Sequence, residues 1–146
     1  MRIFLDTCNV QRPLDALNQI RVRLEAEAIL SVLERIEVGE IELISSTVLE
    51  LEVSRSPLGL RREHGEVVLR HAKTVVIINE TIEKRAAEFV RQRIRPMDAL
   101  HLAAAESVDV DYFCTCDDLF LRKAKELEGL RTTTVAPLEL IEALEK

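Results

Sequence analysis

Short β-branched runs alternate with longer stretches of helical spacing along this chain. The short runs are bounded by polar or turn-forming residues, which is typical of strands. They predict five strands, over residues 2–5, 41–44, 74–78, 112–115 and 132–135. Thr74–Ile78 is the most continuous of these runs, so we expect a buried strand of a parallel sheet there.

The stretches between the strands carry apolar residues on one helical face and charged residues on the other. Together with proline, glycine and capping signals, they predict helices over about 14–38, 45–54, 61–72, 80–91, 96–107, 117–128 and 137–144. Strands joined through helices need crossover connections. The expected fold class is therefore three-layer α/β/α with a mainly parallel central sheet.

The chain has 146 residues, the length of one domain, and no linker or internal repeat divides it. We expect a single domain over residues 1–146. The apolar run Met1–Leu5 is interrupted by Asp6, so it is too short for a secretory or membrane-spanning segment. These features predict a cytoplasmic protein without a membrane partner.

The three cysteines are an odd number in a chain without an export signal, which argues against a disulfide framework. No second Cys or His pair stands at the spacing of a zinc site. Cys8, Cys114 and Cys116 are therefore interpreted as small buried apolar residues.

Acidic residues follow the predicted strands. Asp6 ends the first strand, Asp117 follows the fourth, and Glu50 or Glu52 lies on the helix after the second. Asp98 lies in the first turn of its helix, where the helix dipole favours an anion. Because ligands of parallel sheets bind beyond the carboxyl ends of the strands, we expect these acids to meet at one edge.

Crowded carboxylates repel each other, and a divalent cation relieves that repulsion. Mg²⁺ and Mn²⁺ prefer oxygen ligands, which matches a site of Asp and Glu without His or Cys. Such sites suit phosphodiester hydrolysis, because the metal supplies an activated water. The sequence therefore predicts a metal-dependent hydrolase with no nucleophilic side chain.

Each acid also has a structural interpretation. Asp117 suits a helix N-cap and Asp98 a first turn whatever the function, whereas a half-buried Asp6 needs a cation or backbone donors. Thr47 and Glu50 have capping-box spacing, which would turn Glu50 towards its own helix start. Glu52 is therefore favoured as the ligand, and Glu50 stays open as the alternative.

Polar neighbours of the acids are candidate supporting residues. Thr7 and Asn9 lie in the predicted loop after Asp6, where they could hold the acid or a bound water. Ser46 and Thr115 offer hydroxyl groups near the second and fourth strand ends. The alternative is that Asn9 is a turn residue, Ser46 a cap and Thr115 a strand residue.

The formal net charge of −6 provides no overall attraction for nucleic acid, so an RNA substrate would need a local basic patch. Candidate phosphate contacts flank two of the acids in sequence: Arg91, Arg93, Arg95, Arg122 and Lys123. The alternative is that they are solvated helix residues paired with nearby glutamates. His101, three residues after Asp98, either approaches the substrate or packs in the core.

The chain resembles the PIN domain family, and within it the VapC-type toxins of bacterial toxin–antitoxin pairs. The resemblance spans nearly the whole chain and rests on four segments in order: MRIFLDTCN, LISSTVLELEVSR, RPMDALHLAAAE and FCTCDDLFLRKA. It implies that the metal-binding acids are Asp6, Glu52, Asp98 and Asp117, with Asp118 able to replace or assist Asp117. Cys116 departs from the family, which often has a small polar residue there.

The resemblance also implies a Mg²⁺- or Mn²⁺-dependent endoribonuclease that forms a homodimer and is silenced by a small antitoxin protein. The charged stretch from Arg55 to Arg70 is then a lid, a dimer contact or an antitoxin seat. Two alternatives stay open. One is a non-catalytic PIN-like module that binds RNA or protein. The other is a haloacid-dehalogenase-like phosphatase, which would need an Asp where this chain has Cys8.

Overall fold

Parallel strands form the central sheet of the computed structural model, which describes residues 1–14, 18–57 and 59–145. The strands are β1 Arg2–Leu5, β2 Glu42–Ser46, β3 Thr74–Val76, β4 Tyr112–Cys114 and β5 Thr133–Val135. Their order across the sheet is β3-β2-β1-β4-β5, and every neighbouring pair is parallel. In register, Phe4 of β1 lies beside Ile44 of β2 and Phe113 of β4.

Helices connect the strands and flank the sheet. In the described ranges they are α1 Thr7–Gln11, α2 Ile20–Glu37, α3 Thr47–Ser54, α4 Leu60–Leu69, α5 Glu80–Arg91, α6 Pro96–Ser107, α7 Asp118–Lys125 and α8 Pro137–Glu145, with a short 3-10 helix over Arg12–Leu14. The predicted three-layer α/β/α class with a parallel sheet is confirmed. None of these helices has the length and apolar character needed to cross a membrane.

Two predictions near the N-terminus need correction. Residues 7–11 were expected to be a loop, but they form α1 because the Asp6 side chain accepts a hydrogen bond from the Asn9 backbone N–H and caps the helix. The helix predicted from about residue 14 begins at Ile20. Leu14, where this helix was predicted to begin, belongs to the 3-10 helix. Residues 15–17, which were also predicted to be helical, lie outside the described residues.

The continuous run at residues 74–78 was wrongly predicted to be a buried strand. It forms β3, which ends at Val76 and lies at the edge of the sheet with β2 as its neighbour. Val75 is 40% exposed and Ile77 is 74% exposed. β-Branched residues favour extended backbone wherever the strand lies, so the run indicated a strand but not its position.

The core is built on β1, whose Ile3, Phe4 and Leu5 are fully buried. Phe4 stacks on Phe113 with ring centroids 5.2 Å apart, and Phe113 meets Phe120 edge to face at 5.6 Å. Burial on both faces explains the continuous apolar character of β1. Because β1 is central, the residue that follows it lies at the middle of the sheet edge.

Candidate active site

The strand order brings the ends of β2, β1 and β4 side by side. From β1 the chain proceeds to β2 and β3 on one side, and β4 and β5 then fill the other side. The point between β1 and β4 is therefore the topological switch point, where open parallel sheets bind ligands. One pocket lies there, called the acid pocket below, and its lining includes Asp6, Thr7, Cys8, Gln11, Glu52, Arg61, Asp98, His101 and Asp117.

Asp6 is the most deeply buried acid of the pocket, with 6% of its surface exposed. Its Oδ1 accepts hydrogen bonds from the Asn9 backbone N–H at 3.3 Å, Asn9 Nδ2 at 3.0 Å and Cys8 Sγ at 2.9 Å. Burial raises the pKa of Asp6, and these donors oppose the rise. Asn9 Nδ2 also donates to the Cys114 carbonyl oxygen at 2.5 Å, so Asn9 links the ends of β1 and β4.

Glu52 is held by two side chains from other helices. Thr7 Oγ1 of α1 donates a hydrogen bond to Glu52 Oε1, and His101 Nε2 of α6 lies 3.1 Å from the same oxygen. The hydrogen bond with His101 is the main cause of the lowered pKa of Glu52. His101 is buried and packs against Phe4, and its Nδ1 has no hydrogen-bond partner in the described structure.

Glu50 lies away from the acid pocket. It is exposed and lines a different groove between α3 and α4, together with Glu66 and Arg70. The predicted capping box from Thr47 is wrong, because the N-cap of α3 is Ser46, whose Oγ accepts the Leu49 N–H at 3.0 Å. Ser46 is thus a buried helix cap and is not part of the pocket lining.

Asp98 has the least local compensation of the four acids. Burial is the main cause that raises its pKa to about 6, and the charges of Asp6 and Asp117 add to the rise. His101 and Arg95 oppose it. No hydrogen bond to its carboxylate is found within the described ranges, so Asp98 is the acid that a cation would stabilise most.

Asp117 caps α7 by accepting the Phe120 backbone N–H at 3.1 Å. Its own backbone N–H donates to Thr115 Oγ1 at 3.1 Å, and the Thr115 side chain also hydrogen-bonds Asp6. Thr115 therefore connects two of the acids. Asp118, the sequence alternative, is exposed and forms an ion pair with Arg21, with N–O distances of 2.5 and 2.6 Å. It is not part of the pocket lining.

Basic residues lie beside two of the acids in a smaller adjoining pocket. Arg93, Arg95 and Lys123, called the basic rim below, line it together with Asp98 and Asp117. Lys123 Nζ donates to the Arg93 carbonyl oxygen at 3.0 Å, and Arg93 adopts a left-handed backbone with φ of 75°.

The other two basic candidates lie outside the basic rim. Arg122 is exposed on α7, and Arg91 is exposed at the end of α5, and neither lines this smaller pocket. Of the two adjacent basic residues on α7, it is thus Lys123 that lies beside the acids.

Sequence reasoning missed three residues of the pocket lining, namely Cys8, Gln11 and Arg61. Cys114 and Cys116 are buried as predicted, but Cys8 is only partly buried and contacts Asp6. Gln11 Nε2 donates to Ser56 Oγ at 2.8 Å, and Arg61 donates to Gln11 Oε1 at 3.3 Å. The sequence held one signal for this segment: the spacing of Asp6 and Asn9 suits a helix N-cap at Asp6. That cap would have predicted α1, the helix that carries Cys8 and Gln11.

The donor set of the pocket fits a hard divalent cation. Asp6, Glu52, Asp98 and Asp117 offer carboxylate oxygens. A cation would offset both the burial of Asp98, which is the main cause of its raised pKa, and the repulsion from Asp6 and Asp117. In the described ranges these side chains do not form a closed cluster of three or more metal ligands. The four residues instead line a shared pocket, and three of them, Asp6, Glu52 and Asp117, are hydrogen-bonded to neighbouring groups.

The family model of the PIN domain matches residues 3–126, so the chain belongs to the PIN domain family. The predicted resemblance to this family is confirmed. The match gives no support to the haloacid-dehalogenase alternative. No curated protein sequence matches the chain significantly.

Similar solved structures support the fold. FitAB bound to an IR36 DNA fragment has 16% identity and a TM-score of 0.61, over 92% of this chain and 94% of that chain. VapBC2 from Rickettsia felis, bound to a DNA fragment from the promoter, has 14% identity and a TM-score of 0.61, over 93% and 98%. VapC20 from Mycobacterium tuberculosis, a toxin that cleaves the sarcin–ricin loop, has 16% identity and a TM-score of 0.56, over 88% and 98%.

Proposed function

We propose that this chain is a metal-dependent endoribonuclease that hydrolyses RNA phosphodiester bonds. The observation that carries the proposal is the acid pocket, where four acids from separate segments meet at the switch point of a PIN-domain sheet. The raised pKa of Asp98, caused mainly by burial and then by the charges of Asp6 and Asp117, supports a carboxylate whose charge a bound cation would stabilise. We propose one catalytic domain over residues 1–146.

Asp6, Glu52, Asp98 and Asp117 hold Mg²⁺ or Mn²⁺ in this proposal. A bound divalent cation supplies water activation and stabilises the negative charge that develops on the phosphate. The chain's own contribution is orientation. Each of Asp6, Glu52 and Asp117 accepts a hydrogen bond that fixes its carboxylate, and Asp98 stays without one in the described structure.

RNA approaches over the basic rim. Arg93, Arg95 and Lys123 lie beside Asp98 and Asp117, so they offer positive charge where the strand would enter. Arg122, which also belongs to the proposed substrate-binding set, lies near Asp118 and lines neither the acid pocket nor the smaller adjoining pocket. Lys123 is therefore the stronger candidate on α7.

We also propose that the protein is the VapC-type toxin of a cytoplasmic toxin–antitoxin pair, acts as a homodimer and binds a cognate antitoxin. The VapBC2 and VapC20 structures support this at the level of fold. A groove between α2 and α4, lined by Leu30, Leu33, Ile36, Val67 and Val68, offers an apolar seat for an antitoxin segment. Co-purification with the protein encoded by an adjacent open reading frame tests the antitoxin complex, and sedimentation analysis tests the homodimer.

The nuclease proposal is tested by incubating purified protein with a folded RNA in Mn²⁺, in Mg²⁺ and in chelator. We expect cleavage with metal only. Asp6→Asn should abolish it, because Asp6 is buried at the centre of the pocket. Glu52→Gln should reduce the rate about 100-fold, because loss of even an outer partner of a metal ligand costs about 10- to 100-fold. Glu50→Gln on the same helix should cleave like the wild type.

Binding of Mn²⁺ without any RNA cleavage would favour the non-catalytic PIN-like module. Equal cleavage by the wild type and Asp6→Asn would refute the proposed site. Loss of activity in Glu50→Gln but not in Glu52→Gln would reassign the second acid.

A further inference from the structure

Two thiols meet beside Asp6 in the acid pocket. The Cys116 backbone N–H donates to Cys8 Sγ at 3.3 Å, so the two cysteines are neighbours. Cys8 Sγ donates to Asp6 Oδ1 at 2.9 Å, and Cys116 Sγ donates to Asn9 Oδ1 at 2.9 Å. Cys8 comes from α1 after the central strand, and Cys116 from the segment after β4. Sequence analysis had assigned neither thiol a role beyond packing.

We propose that Cys8 and Cys116 form a reversible disulfide that closes across the floor of the acid pocket. Intracellular disulfides, where they occur, are mostly transient and sense redox conditions. The Cys116 backbone nitrogen lies 3.3 Å from Cys8 Sγ, so the two residues are neighbours across the gap between β1 and β4, and side-chain rotation would bring the sulfur atoms to the bond length of about 2 Å. The third cysteine, Cys114, lies on β4 and is fully buried.

The oxidant is a peroxide. The sulfur of Cys8, which lines the pocket, attacks one oxygen of hydrogen peroxide and becomes a sulfenic acid, and water leaves. The Cys116 thiol then attacks the sulfenic sulfur, the S–S bond forms, and a second water leaves. The two thiols lose two electrons and two protons in total, and the peroxide takes up both. A dithiol reductant reverses the reaction.

The disulfide changes the surroundings of Asp6. Cys8 can no longer donate to the Asp6 carboxylate, Cys116 can no longer donate to Asn9, and the bond ties α1 to the segment that leads to Asp117. If the pocket binds a divalent cation, as the proposed function requires, the oxidised protein should bind Mn²⁺ on the order of 10-fold more weakly, the typical cost of losing a partner of a metal ligand.

Mass spectrometry tests the bond itself. After hydrogen peroxide treatment, the intact wild-type protein should lose the mass of two hydrogens, and dithiothreitol should restore it. A non-reducing digest should join the peptides that contain Cys8 and Cys116. Cys114→Ser, with Cys114→Ala as a second control if serine impairs folding, should behave like the wild type. Cys116→Ser should show oxygen addition on Cys8 without a cross-link.

A cross-link that involves Cys114, a cross-link between chains, or oxygen addition to the wild type without a cross-link would overturn the proposal. An unchanged mass of the wild type, at a peroxide dose that oxidises Cys8 in the Cys116→Ser variant, would also overturn the proposal. Calorimetry with Mn²⁺ then compares reduced and oxidised wild type. Equal affinities would overturn the regulatory effect. A reduced protein that binds no Mn²⁺ would count against the proposed function and leave the disulfide to be judged by mass alone.

Discussion

Asp98 is a pocket acid that holds its proton to a higher pH than an ordinary aspartate. Its pKa is raised from 3.8 to about 6, mainly by burial and then by the charges of Asp6 and Asp117. Between these two pH values the folded protein keeps a proton that the unfolded chain has lost. The contribution of Asp98 to the free energy of unfolding therefore falls as pH rises through that window.

In chelator, the wild type should lose stability relative to Asp98→Asn as pH rises from about 4 to about 6, and the difference should then level off. Urea unfolding of both proteins at several pH values measures it. The asparagine variant has no carboxyl to titrate at this position, so it serves as the reference. A difference that stays constant across the window would show that Asp98 titrates normally.

His101 acts through Glu52 rather than on substrate, because it is buried and its Nε2 lies 3.1 Å from the Glu52 carboxylate. We expect His101→Leu to weaken Mn²⁺ binding about 10-fold. His101→Gln should recover part of the affinity, because an amide N–H can donate to the same oxygen. Titration calorimetry measures both variants, and thermal unfolding reports any loss of packing separately.

A double-mutant cycle with Glu52→Gln provides the control. If His101 positions Glu52, His101→Leu should change Mn²⁺ affinity far less in the Glu52→Gln background. An equal loss in both backgrounds would mean that His101 supports the pocket through packing alone.

The position of the four acids around one pocket could be predicted from the sequence, because Asp6 and Asp117 follow strands, Asp98 opens a helix and Glu52 lies on the helix after β2, and parallel topology brings such positions together. Their role as metal ligands stays a prediction. The partners of the acids could not be predicted. The contacts of Glu52 with Thr7 and His101 join three helices, and the contact of Cys8 with Cys116 spans 108 positions of sequence. Local spacing carries no information about such pairs.

At the scale of elements, α5 and α6 were predicted within a residue or two, whereas α4 and α7 each end three residues before their predicted ends. Pro96 opens α6, which ends at Ser107 as expected, and α5 runs over Glu80–Arg91 as expected. The short α1 was missed because five residues are too few for helical periodicity. The edge position of β3 was missed because strand order depends on contacts that lie far apart in sequence.

The contact of α5 with α6 depends on a buried ion pair. Glu106 is 1% exposed and accepts hydrogen bonds from Arg85 Nε at 2.7 Å and from the Arg131 backbone N–H at 3.0 Å. Arg85 also packs over the ring of Phe89, 4.5 Å from its centroid. Removing the guanidinium would leave a buried carboxylate with a backbone donor as its main partner.

Arg85→Ala should therefore lower the free energy of unfolding by about 3 kcal/mol, the cost of breaking a buried pair. Lys84→Ala on the same helix should change it by less than about 0.5 kcal/mol, because Lys84 forms a surface pair with Glu80. Denaturant unfolding compares the two, and Arg85→Ala combined with Glu106→Gln should recover part of the loss. Equal changes in the free energy of unfolding at positions 84 and 85 would show that the pair of Arg85 and Glu106 stabilises the fold no more than a surface pair does.

At the scale of the whole molecule, a net charge of −6 repels RNA at long range, while the basic rim lies beside the acids. If RNA is the substrate, as proposed, its affinity must come from a few local phosphate contacts. Each contact with single-stranded RNA releases counterions and adds about −0.7 to the slope of log affinity against log salt concentration. A small slope, set by the few rim residues, is the expected behaviour of such a surface.

A comparison of two lysines on α7 distinguishes attraction to the basic rim from the effect of the total charge. Lys123 belongs to the basic rim, whereas Lys125 forms a surface ion pair with Glu139 at 2.9 Å. In an Asp6→Asn background that prevents cleavage, Lys123→Ala should weaken RNA binding and reduce the magnitude of the salt slope by about 0.7. Lys125→Ala removes the same charge and should leave the slope unchanged. Fluorescence anisotropy over a salt series measures both. If the two variants change the slope equally, RNA responds to the charge of the whole surface and the basic rim is not its binding site.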